Sequence, residues 1–347
     1  LTTAHLDGLL LTSLPNIRYL TGFSGTSALL FVSHRDTLLV TDFRYQTQVG
    51  HEVGDAVRVA VEAQSLWTGL WHQLAQQQSL SVVGFESANL LHRDFQRLLE
   101  QGARYQWRPT LDLVERLRER KDAAEVALIS RAAEVACAAL GTAVPEIRAG
   151  MSELGVAGLL ERALRDAGSE DYPFPSIIAS GPRSALPHAR STGRTIESGD
   201  LLLMDFGAVV GGYCSDVTRT FVVGRATADQ REVHEVVRVA NERATAAVQP
   251  GMTGRDADAV ARDYIERCGF GELFGHSLGH GVGLEVHEAP RLARAAEGAL
   301  PEGAVVTIEP GVYRPGWGGV RIEDDVHLTH DGPRILTSFT RELLELG

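Results

Sequence analysis

The feature that most constrains the fold is a pair of long apolar segments, residues 201–210 and 213–223, separated only by Gly211-Gly212. Two glycines between such segments are a strong signal for a β-hairpin, because glycine adopts the positive φ values that tight turns need. Each segment also contains an aspartate, Asp205 in the first and Asp216 in the second. The sequence therefore predicts a largely buried hairpin that carries two carboxylates.

The turn determines which residues of the hairpin face each other. If the two glycines form the turn, Val210 pairs with Tyr213 and Asp205 lies opposite Thr218. Asp216 is then the diagonal neighbour of Asp205 on the same face, with roughly 7–8 Å between such positions. At this separation both carboxylates can reach one ion.

Ionised carboxylates inside a buried hairpin are costly unless opposite charge is supplied. A bound cation would supply it. The alternative for each aspartate is an ion pair with a neighbouring arginine such as Arg219. Because two carboxylates share one face, the cation is favoured.

Two glutamates downstream lie in similar surroundings. Glu309 ends the apolar strand predicted at 305–308, and Glu323 follows Val320 and Ile322 in an alternating segment. Alternation places Val320 and Ile322 on one face and Glu323 on the other. Both glutamates can therefore point into one pocket.

Histidines lie in the glycine-rich segment 275–283 between these carboxylates. His276 and His280 have the i, i+4 spacing of a zincin helix, but no glutamate follows the first histidine and the glycines disfavour a helix. We therefore reject the zincin interpretation.

Four carboxylates and one imidazole form a hard ligand set whose charge of −4 balances two divalent ions. Such a set favours Mn, Co or Zn over copper or iron–sulfur chemistry. Two ions roughly 3.5–4 Å apart can activate a water molecule and polarise a carbonyl, which is the chemistry of hydrolysis.

The rest of the chain predicts two domains. Roughly the first 110 residues alternate strands (9–14, 28–32, 37–40, 57–61, 81–85) with helices (66–74, 89–99), an α/β pattern. The pattern breaks at Trp107 and Pro109, and a charged stretch, 115–121, follows. We place the boundary there, with domains at 1–118 and 119–347.

The second domain is expected to open with a long helix. Asp122 and Glu125 form a predicted capping box for the apolar segment 126–140, and further helices are predicted at 230–248 and 256–268. The alternative is a solvated charged face that has no meaning as a boundary.

Charge and composition exclude several partners. Lys+Arg 33 against Asp+Glu 45 gives a net charge of −12, which disfavours nucleic acid. No apolar run approaches the ~18–20 residues of a membrane span, so no membrane partner is expected. Cys137, Cys214 and Cys268 are too far apart for a thiolate zinc site or a disulfide framework, which predicts a cytoplasmic protein.

Several segments together resemble the Xaa-Pro peptidases, the group of aminopeptidase P and prolidase. They are 180–188, Met204-Asp205-Phe206-Gly207, Ser215-Asp216-Val217-Thr218-Arg219-Thr220, His276-Ser277-Leu278-Gly279-His280, Thr307-Ile308-Glu309-Pro310-Gly311 and Arg321-Ile322-Glu323-Asp324. Segments 19–26 and 41–45 also look like the smaller domain of these peptidases. The resemblance implies an α+β pita-bread catalytic domain, of the creatinase and methionine aminopeptidase type, preceded by a smaller creatinase-like α/β domain.

The resemblance also implies the roles of individual residues. Two divalent ions, Mn above Co or Zn, would be held by Asp205, Asp216, His280, Glu309 and Glu323, with Asp216 and Glu323 bridging. His188 and His287 would flank the substrate and stabilise the carbonyl oxygen, and Glu309 would also move a proton. Arg291, Tyr313 and Arg321 would line the proline end, and the protein would be a homodimer.

The implied activity is removal of the first residue of a peptide when proline follows it. The alternative within this class is a strict Xaa-Pro dipeptidase. A remote alternative is a non-catalytic peptide- or protein-binding module of the same fold, whose mark would be lost ligands. All five ligand positions are intact, which favours the enzyme.

Overall fold

The computed structural model describes residues 1–75 and 80–347. The described chain forms two compact units, Leu1–Leu117 and Arg118–Gly347. The second unit contains the hairpin and all the candidate site residues.

The first unit is a six-stranded mixed sheet with helices, in the strand order β4-β3-β2-β1-β5-β6. The pairs β1/β5, β3/β4 and β5/β6 are parallel, and β1/β2 and β2/β3 are antiparallel. The strands are β1 (Gly8–Leu11), β2 (Ala28–Ser33), β3 (Thr37–Asp42), β4 (Arg58–Glu62), β5 (Val82–Glu86) and β6 (Gln106–Thr110). The helices are α1 (Leu14–Thr21), α2 (Gln46–Glu52), α3 (Leu66–Leu74), α4 (His92–Gln101) and, leading to the second unit, α5 (Glu115–Arg118).

The α/β prediction for this unit is confirmed, and two elements differ from it. The strand predicted at 9–14 ends at Leu11, because Ser13 and Pro15 begin helix α1 there. The break predicted at Trp107 and Pro109 is wrong, because both residues lie in β6. This strand is at the edge of the sheet, where the missing N–H of proline is tolerated.

The second unit has two larger sheets, β19-β11-β8-β7 and β13-β12-β14-β17-β18, and two short hairpins, β9/β10 and β15/β16. Its helices are α6 (Ala123–Ala143), α7 (Glu153–Asp166), α8 (Ala228–Ala247) and α9 (Gly254–Arg267). Its strands are β7 (Ile177–Ser180), β8 (Leu201–Phe206), β9 (Val209–Val210), β10 (Tyr213–Cys214), β11 (Val217–Val223), β12 (Gly279–Gly281), β13 (Glu288–Leu292), β14 (Val305–Ile308), β15 (Gly311–Arg314), β16 (Gly318–Arg321), β17 (Asp324–Thr329), β18 (Gly332–Ile335) and β19 (Glu345–Leu346).

Each of the two larger sheets has its own pair of helices. The buried faces of α6 and α7 share one apolar core with β7, β8 and β11. The buried faces of α8 and α9 share another with β13, β14 and β17. The unit is therefore built from two helix-covered halves, and polar residues on the strands of both halves are available for one site.

Helix α6 begins at the predicted capping box. The carboxylate of Asp122 accepts the N–H groups of Ala124 and Glu125, and Glu125 accepts the N–H of Asp122. By length and composition alone, Ala123–Glu146 could cross a membrane, whereas no span is predicted from the sequence. Burial of 56% of the apolar window inside the protein accounts for its composition.

The central hairpin has the predicted register. Val210 pairs with Tyr213, and Asp205 pairs with Thr218. Pairing is interrupted between the two parts of the hairpin at Gly207, where an added Cβ would lie 2.0 Å from the carbonyl oxygen of Ser215. Glycine is therefore required at the point where the strand carrying Asp205 approaches the segment carrying Asp216.

Candidate metal centre

A cleft of about 790 Å³ opens in the second unit. Side chains from both halves of the unit reach it. Asp205 lies in β8 and Asp216 directly precedes β11, whereas His280 lies in β12. Glu309 directly follows β14, and Glu323 is two residues beyond the end of β16. All five predicted metal ligands line the cleft.

The ligand atoms of these side chains lie close together. The Nε2 atom of His280 is 3.5 Å from an oxygen of Glu309 and 3.8 Å from an oxygen of Asp216. In the described part of the chain, three groups have ligand atoms within 4.8 Å of one another: Asp205, Asp216 and Glu323; His280, Glu309 and Glu323; and Asp216, His280 and His287. Glu323 is common to the first two groups, so its two oxygens can serve two neighbouring ions.

Buried oxygens without a partner indicate that positive charge is needed here. Among the described residues, Oδ1 of Asp205 and Oδ1 of Asp216 are buried and accept no hydrogen bond. Burial and the neighbouring carboxylates raise the pKa of Asp216 and of Glu309 well above the usual range, and that of Glu323 to about 8. This donor set fits divalent cations, which would offset the repulsion between the carboxylates.

His280 is oriented as a metal ligand would be. Its Nδ1 atom is 3.1 Å from the carbonyl oxygen of Gly281, an acceptor, which places the ring proton on Nδ1 and leaves the lone pair of Nε2 facing the carboxylates. Burial lowers the pKa of His280 to about 3, so the ring is neutral near pH 7. The residue lies in a strand, which confirms that the zincin helix was correctly rejected.

Arginine pairing does not neutralise the cluster. Arg219 binds Asp324 at 2.8 Å, so the alternative in which it neutralises the hairpin aspartates is wrong. Asp205 is instead paired with Arg321, at 2.5 Å between Nη2 and Oδ2. One guanidinium leaves most of the charge of the four carboxylates unbalanced.

The residues predicted to bind substrate lie around this cluster. His188, His287, Arg291 and Arg321 line the cleft. The ring of His287 lies 4.3 Å from that of His280, centroid to centroid, and burial lowers its pKa. Arg291 faces His280 across the β12/β13 pair.

Tyr313 occupies a different place from the one predicted. It is only 7% exposed and is not part of the cleft lining. Its hydroxyl lies 2.6 Å from Nη1 of Arg321 and 2.9 Å from Nε2 of His276. Tyr313 therefore supports Arg321 and His276 from behind.

Two supporting residues were not anticipated from the sequence. Thr218 donates its hydroxyl proton to Glu323 at 2.6 Å, and this threonine is the hairpin partner of Asp205. Asn241, buried in α8, donates to the carbonyl oxygens of Ile308 and Ile322, the residues that precede the two glutamates. The apolar periodicity of α8 carries no signal for the role of Asn241, whereas the hairpin register already pointed to Thr218.

Known proteins resemble both units. Residues 127–330 match metallopeptidase family M24, and residues 1–120 match the creatinase/prolidase N-terminal domain. The chain is 38% identical to an Xaa-Pro dipeptidase of Pyrococcus horikoshii over 98% of this chain and 95% of that protein.

Solved structures agree with the sequence relatives. The Xaa-Pro dipeptidase from Bacillus anthracis superimposes with a TM-score of 0.96 at 39% identity, covering 99% of this chain and 96% of that one. The X-Pro aminopeptidase from Thermotoga maritima gives a TM-score of 0.92 at 35% identity, covering 99% and 97%.

These matches confirm the predicted pita-bread fold and the creatinase-like N-terminal domain. They also establish the protein as a peptidase of a family that works with divalent metal. The chain belongs to metallopeptidase family M24, in its Xaa-Pro peptidase group.

Proposed function

We propose that this protein hydrolyses the bond between an N-terminal residue and a following proline, using two divalent metal ions. The observation that carries the proposal is the convergence of two three-ligand groups on Glu323. Asp205, Asp216 and Glu323 would hold one ion, and His280, Glu309 and Glu323 the other, with Asp216 as the second bridge. The hard oxygen donors favour Mn²⁺, with Co²⁺ or Zn²⁺ as alternatives.

The side chains around the cluster have separate tasks. When bound, the ions supply an activated water molecule and polarise the scissile carbonyl. His188 and His287 donate hydrogen bonds to the carbonyl oxygen as negative charge develops on it. Glu309, which lines the cleft beside these ligands, would take up a proton and return it to the leaving proline nitrogen.

Two arginines beside the metal cluster account for proline specificity in this proposal. The Xaa-Pro bond has no N–H, so an enzyme that binds this group in ordinary peptides gains nothing from it. Arg291 and Arg321 instead offer positive charge to the proline carboxylate, and Tyr313 holds Arg321 in place. The names of the relatives, Xaa-Pro dipeptidase and X-Pro aminopeptidase, support this substrate class.

A chain-length assay tests the proposal. The metal-stripped protein is reloaded with Mn²⁺ and assayed on Ala-Pro, Ala-Pro-Ala-Ala and Ala-Ala. We expect hydrolysis of Ala-Pro and none of Ala-Ala. Equal turnover of Ala-Pro and the tetrapeptide would identify an aminopeptidase, and loss of the tetrapeptide activity would identify a dipeptidase. Inactivity on all Xaa-Pro peptides with every metal would refute the proposal.

Metal binding is expected to depend steeply on pH. Asp216, Glu309 and Glu323 have raised pKa values without metal, so protons must leave before an ion binds. Affinity for Mn²⁺ should fall about tenfold per pH unit, for each proton released, from pH 8 to pH 6. Isothermal titration calorimetry in buffers of different ionisation enthalpy measures the Mn²⁺ affinity and the number of protons released on binding.

The stability of the metal-free protein should change with pH in the opposite direction to the metal affinity. These acids are held protonated in the folded state but ionise near their ordinary values when unfolded, so stability falls as pH rises from about 4.5 to 8. Adding Mn²⁺ at pH 8 should restore the melting temperature. A flat affinity between pH 6 and 8 would contradict the assignment of these carboxylates as ligands.

Asn241 offers a test of the support behind the glutamates. Asn241→Leu keeps the volume but leaves the carbonyl oxygens of Ile308 and Ile322 without this donor. We expect a loss of stability of about 1–3 kcal/mol and roughly tenfold weaker Mn²⁺ binding. Asn241→Gln is the conservative variant, and unchanged metal affinity in Asn241→Leu would show that the contact is purely structural.

We also propose that the protein is a homodimer and that it is located in the cytoplasm. Within the described residues, Cys137, Cys214 and Cys268 are free thiols, as a reducing compartment would keep them. Size-exclusion chromatography with light scattering tests the dimer, and fractionation of the source cells tests the location.

A further inference from the structure

A buried glutamate outside the metal cluster holds the loop that carries His188. Glu153 begins helix α7, and its side chain is fully buried. Residues 181–191 form a loop that follows strand β7, which ends at Ser180. The next residue, Thr192, contacts the start of α7, where its carbonyl oxygen accepts the N–H of Leu154. His188 lies in this loop, where it is exposed and lines the cleft.

One oxygen of Glu153 binds the start of the loop. Oε1 accepts the backbone N–H and the hydroxyl of Ser180, both at 2.9 Å. The other oxygen binds the end of the loop: Oε2 accepts the backbone N–H of Thr192 at 3.0 Å and its hydroxyl at 2.7 Å. A single carboxylate therefore fixes both ends of the loop.

An arginine extends this support toward the histidine. Nε of Arg183 lies 3.1 Å from Oε2 of Glu153, and Nη2 of the same guanidinium donates to the carbonyl oxygen of Arg190 at 2.6 Å. Arg190 is two residues beyond His188. The imidazole of His188 itself has no hydrogen-bond partner among residues 1–75 and 80–347, so its position depends on the backbone of the loop.

Other contacts of the loop hold its flanks. Ser184 accepts the N–H of Gly319 at 2.8 Å, and Ser191 accepts the N–H of Ile178 at 3.1 Å. Between them, the carbonyl oxygen of Pro187 lies 3.4 Å from Arg321, a long contact. The hydrogen bond from Arg183 to the carbonyl oxygen of Arg190, at 2.6 Å, is thus shorter than the contact of Arg321 with Pro187 on the other side of His188.

We propose that Glu153 is a positioning residue for His188: by binding both ends of the loop and Arg183, it holds the imidazole where the scissile carbonyl is bound. This inference rests on the proposed function, because it assigns His188 to the substrate. Glu153 does not touch the substrate or the metal ligands and acts only through the loop.

A double-mutant cycle tests the proposal on the full-length protein with Mn²⁺ and Ala-Pro. Glu153→Gln retains one oxygen but presents an amide to the donors of Thr192 and Arg183. We expect kcat/KM to fall roughly 30- to 100-fold, mostly through kcat, with unchanged Mn²⁺ affinity. In the His188→Ala background the same substitution should change kcat/KM less than about twofold, because the group it positions is already absent.

Two controls separate positioning from general destabilisation. Glu86→Gln alters another buried carboxylate, which accepts the N–H groups of Thr12 and Ser13 in the first unit. It should lower the melting temperature but not kcat/KM. If Glu153→Gln does not fold, Arg183→Met replaces it in the cycle, because Arg183 is partly exposed and its loss leaves the four contacts with Ser180 and Thr192 intact.

A spectroscopic readout is independent of activity. In protein labelled with ¹³C-histidine, the signal missing from His188→Ala identifies His188. Glu153→Gln or Arg183→Met should shift or broaden this signal and leave that of His234 unchanged. An unmoved signal, or an equal loss of kcat/KM in both backgrounds, would overturn the positioning role. Absence of Ala-Pro hydrolysis by the parent protein would instead refute the proposed function, while the signal would still test the loop.

Discussion

Glu323→Gln is expected to lower Ala-Pro hydrolysis roughly 1,000-fold or more and to abolish tight binding of both metal ions. Glu323 belongs to both of the three-ligand groups that are assigned to the two ions. A neutral amide removes a negative charge that both proposed ion sites share, whereas Asp205, His280 and Glu309 would each serve one ion. Activity and bound metal, measured by elemental analysis after dialysis against Mn²⁺, should be lost together.

The same substitution should stabilise the metal-free protein at pH 8. Burial and Asp205 raise the pKa of Glu323 to about 8, so its ionisation in the folded state is unfavourable. Glutamine removes this cost and can keep the hydrogen bond from Thr218. Opposite effects on metal-free stability and on activity would distinguish a lost ligand from a misfolded protein.

Glu302→Gln is the matched control, because Glu302 is an exposed glutamate of the same unit outside the cleft. It should leave metal content and kcat/KM within about twofold of the parent. Full activity in Glu323→Gln with two ions still bound would contradict the shared-ligand proposal.

The register of the central hairpin could be predicted because it depends on local rules. A two-residue glycine turn allows only one pairing, and that pairing places Asp205 opposite Thr218. The alternation around Glu323 is equally local: Val320 and Ile322 lie in the core, while Glu323 reaches the cleft. The resemblance then supplied the partners that lie far away in the chain.

Long-range polar contacts could not be predicted in this way. The pairing of Arg321 with Asp205 joins positions 116 residues apart, and that of Asn241 with Ile308 joins positions 67 apart. Glu153 follows an N-capping serine, where a glutamate is ordinarily explained by the helix dipole. Its actual partners, Ser180 and Thr192, depend on how the loop returns to α7.

The long-range contacts of the charged stretch 115–121 could not be predicted from the sequence either. Its alternation of acidic and basic residues is typical of a solvated surface. Arg118 and Lys121 are nevertheless buried, and both bind Glu288, at 2.5 and 2.8 Å. Residues that read as surface charges therefore form a buried ion cluster in the second unit.

Glu288→Gln is expected to destabilise the protein by about 3–5 kcal/mol, because it leaves Arg118 and Lys121 buried without their shared counter-charge. Glu285→Gln is a control on the same guanidinium: Glu285 binds Arg118 at 2.9 Å but its side chain is 48% exposed, against 6% for Glu288. Water can replace the exposed carboxylate, so we expect less than about 1 kcal/mol for Glu285→Gln. Urea unfolding of both variants measures the difference.

The location of Glu288 connects this stability effect to the metal centre. Glu288 begins β13, next to His287, and β13 pairs with the strand that carries His280. Loss of the cluster should therefore loosen the β12/β13 pair before the rest of the unit unfolds, and amide hydrogen exchange at 279–281 should speed up in Glu288→Gln but not in Glu285→Gln. Equal destabilisation by the two variants would mean that burial does not set the strength of these ion pairs. In that case Arg118 and Lys121 would not depend on Glu288 as their common buried counter-charge.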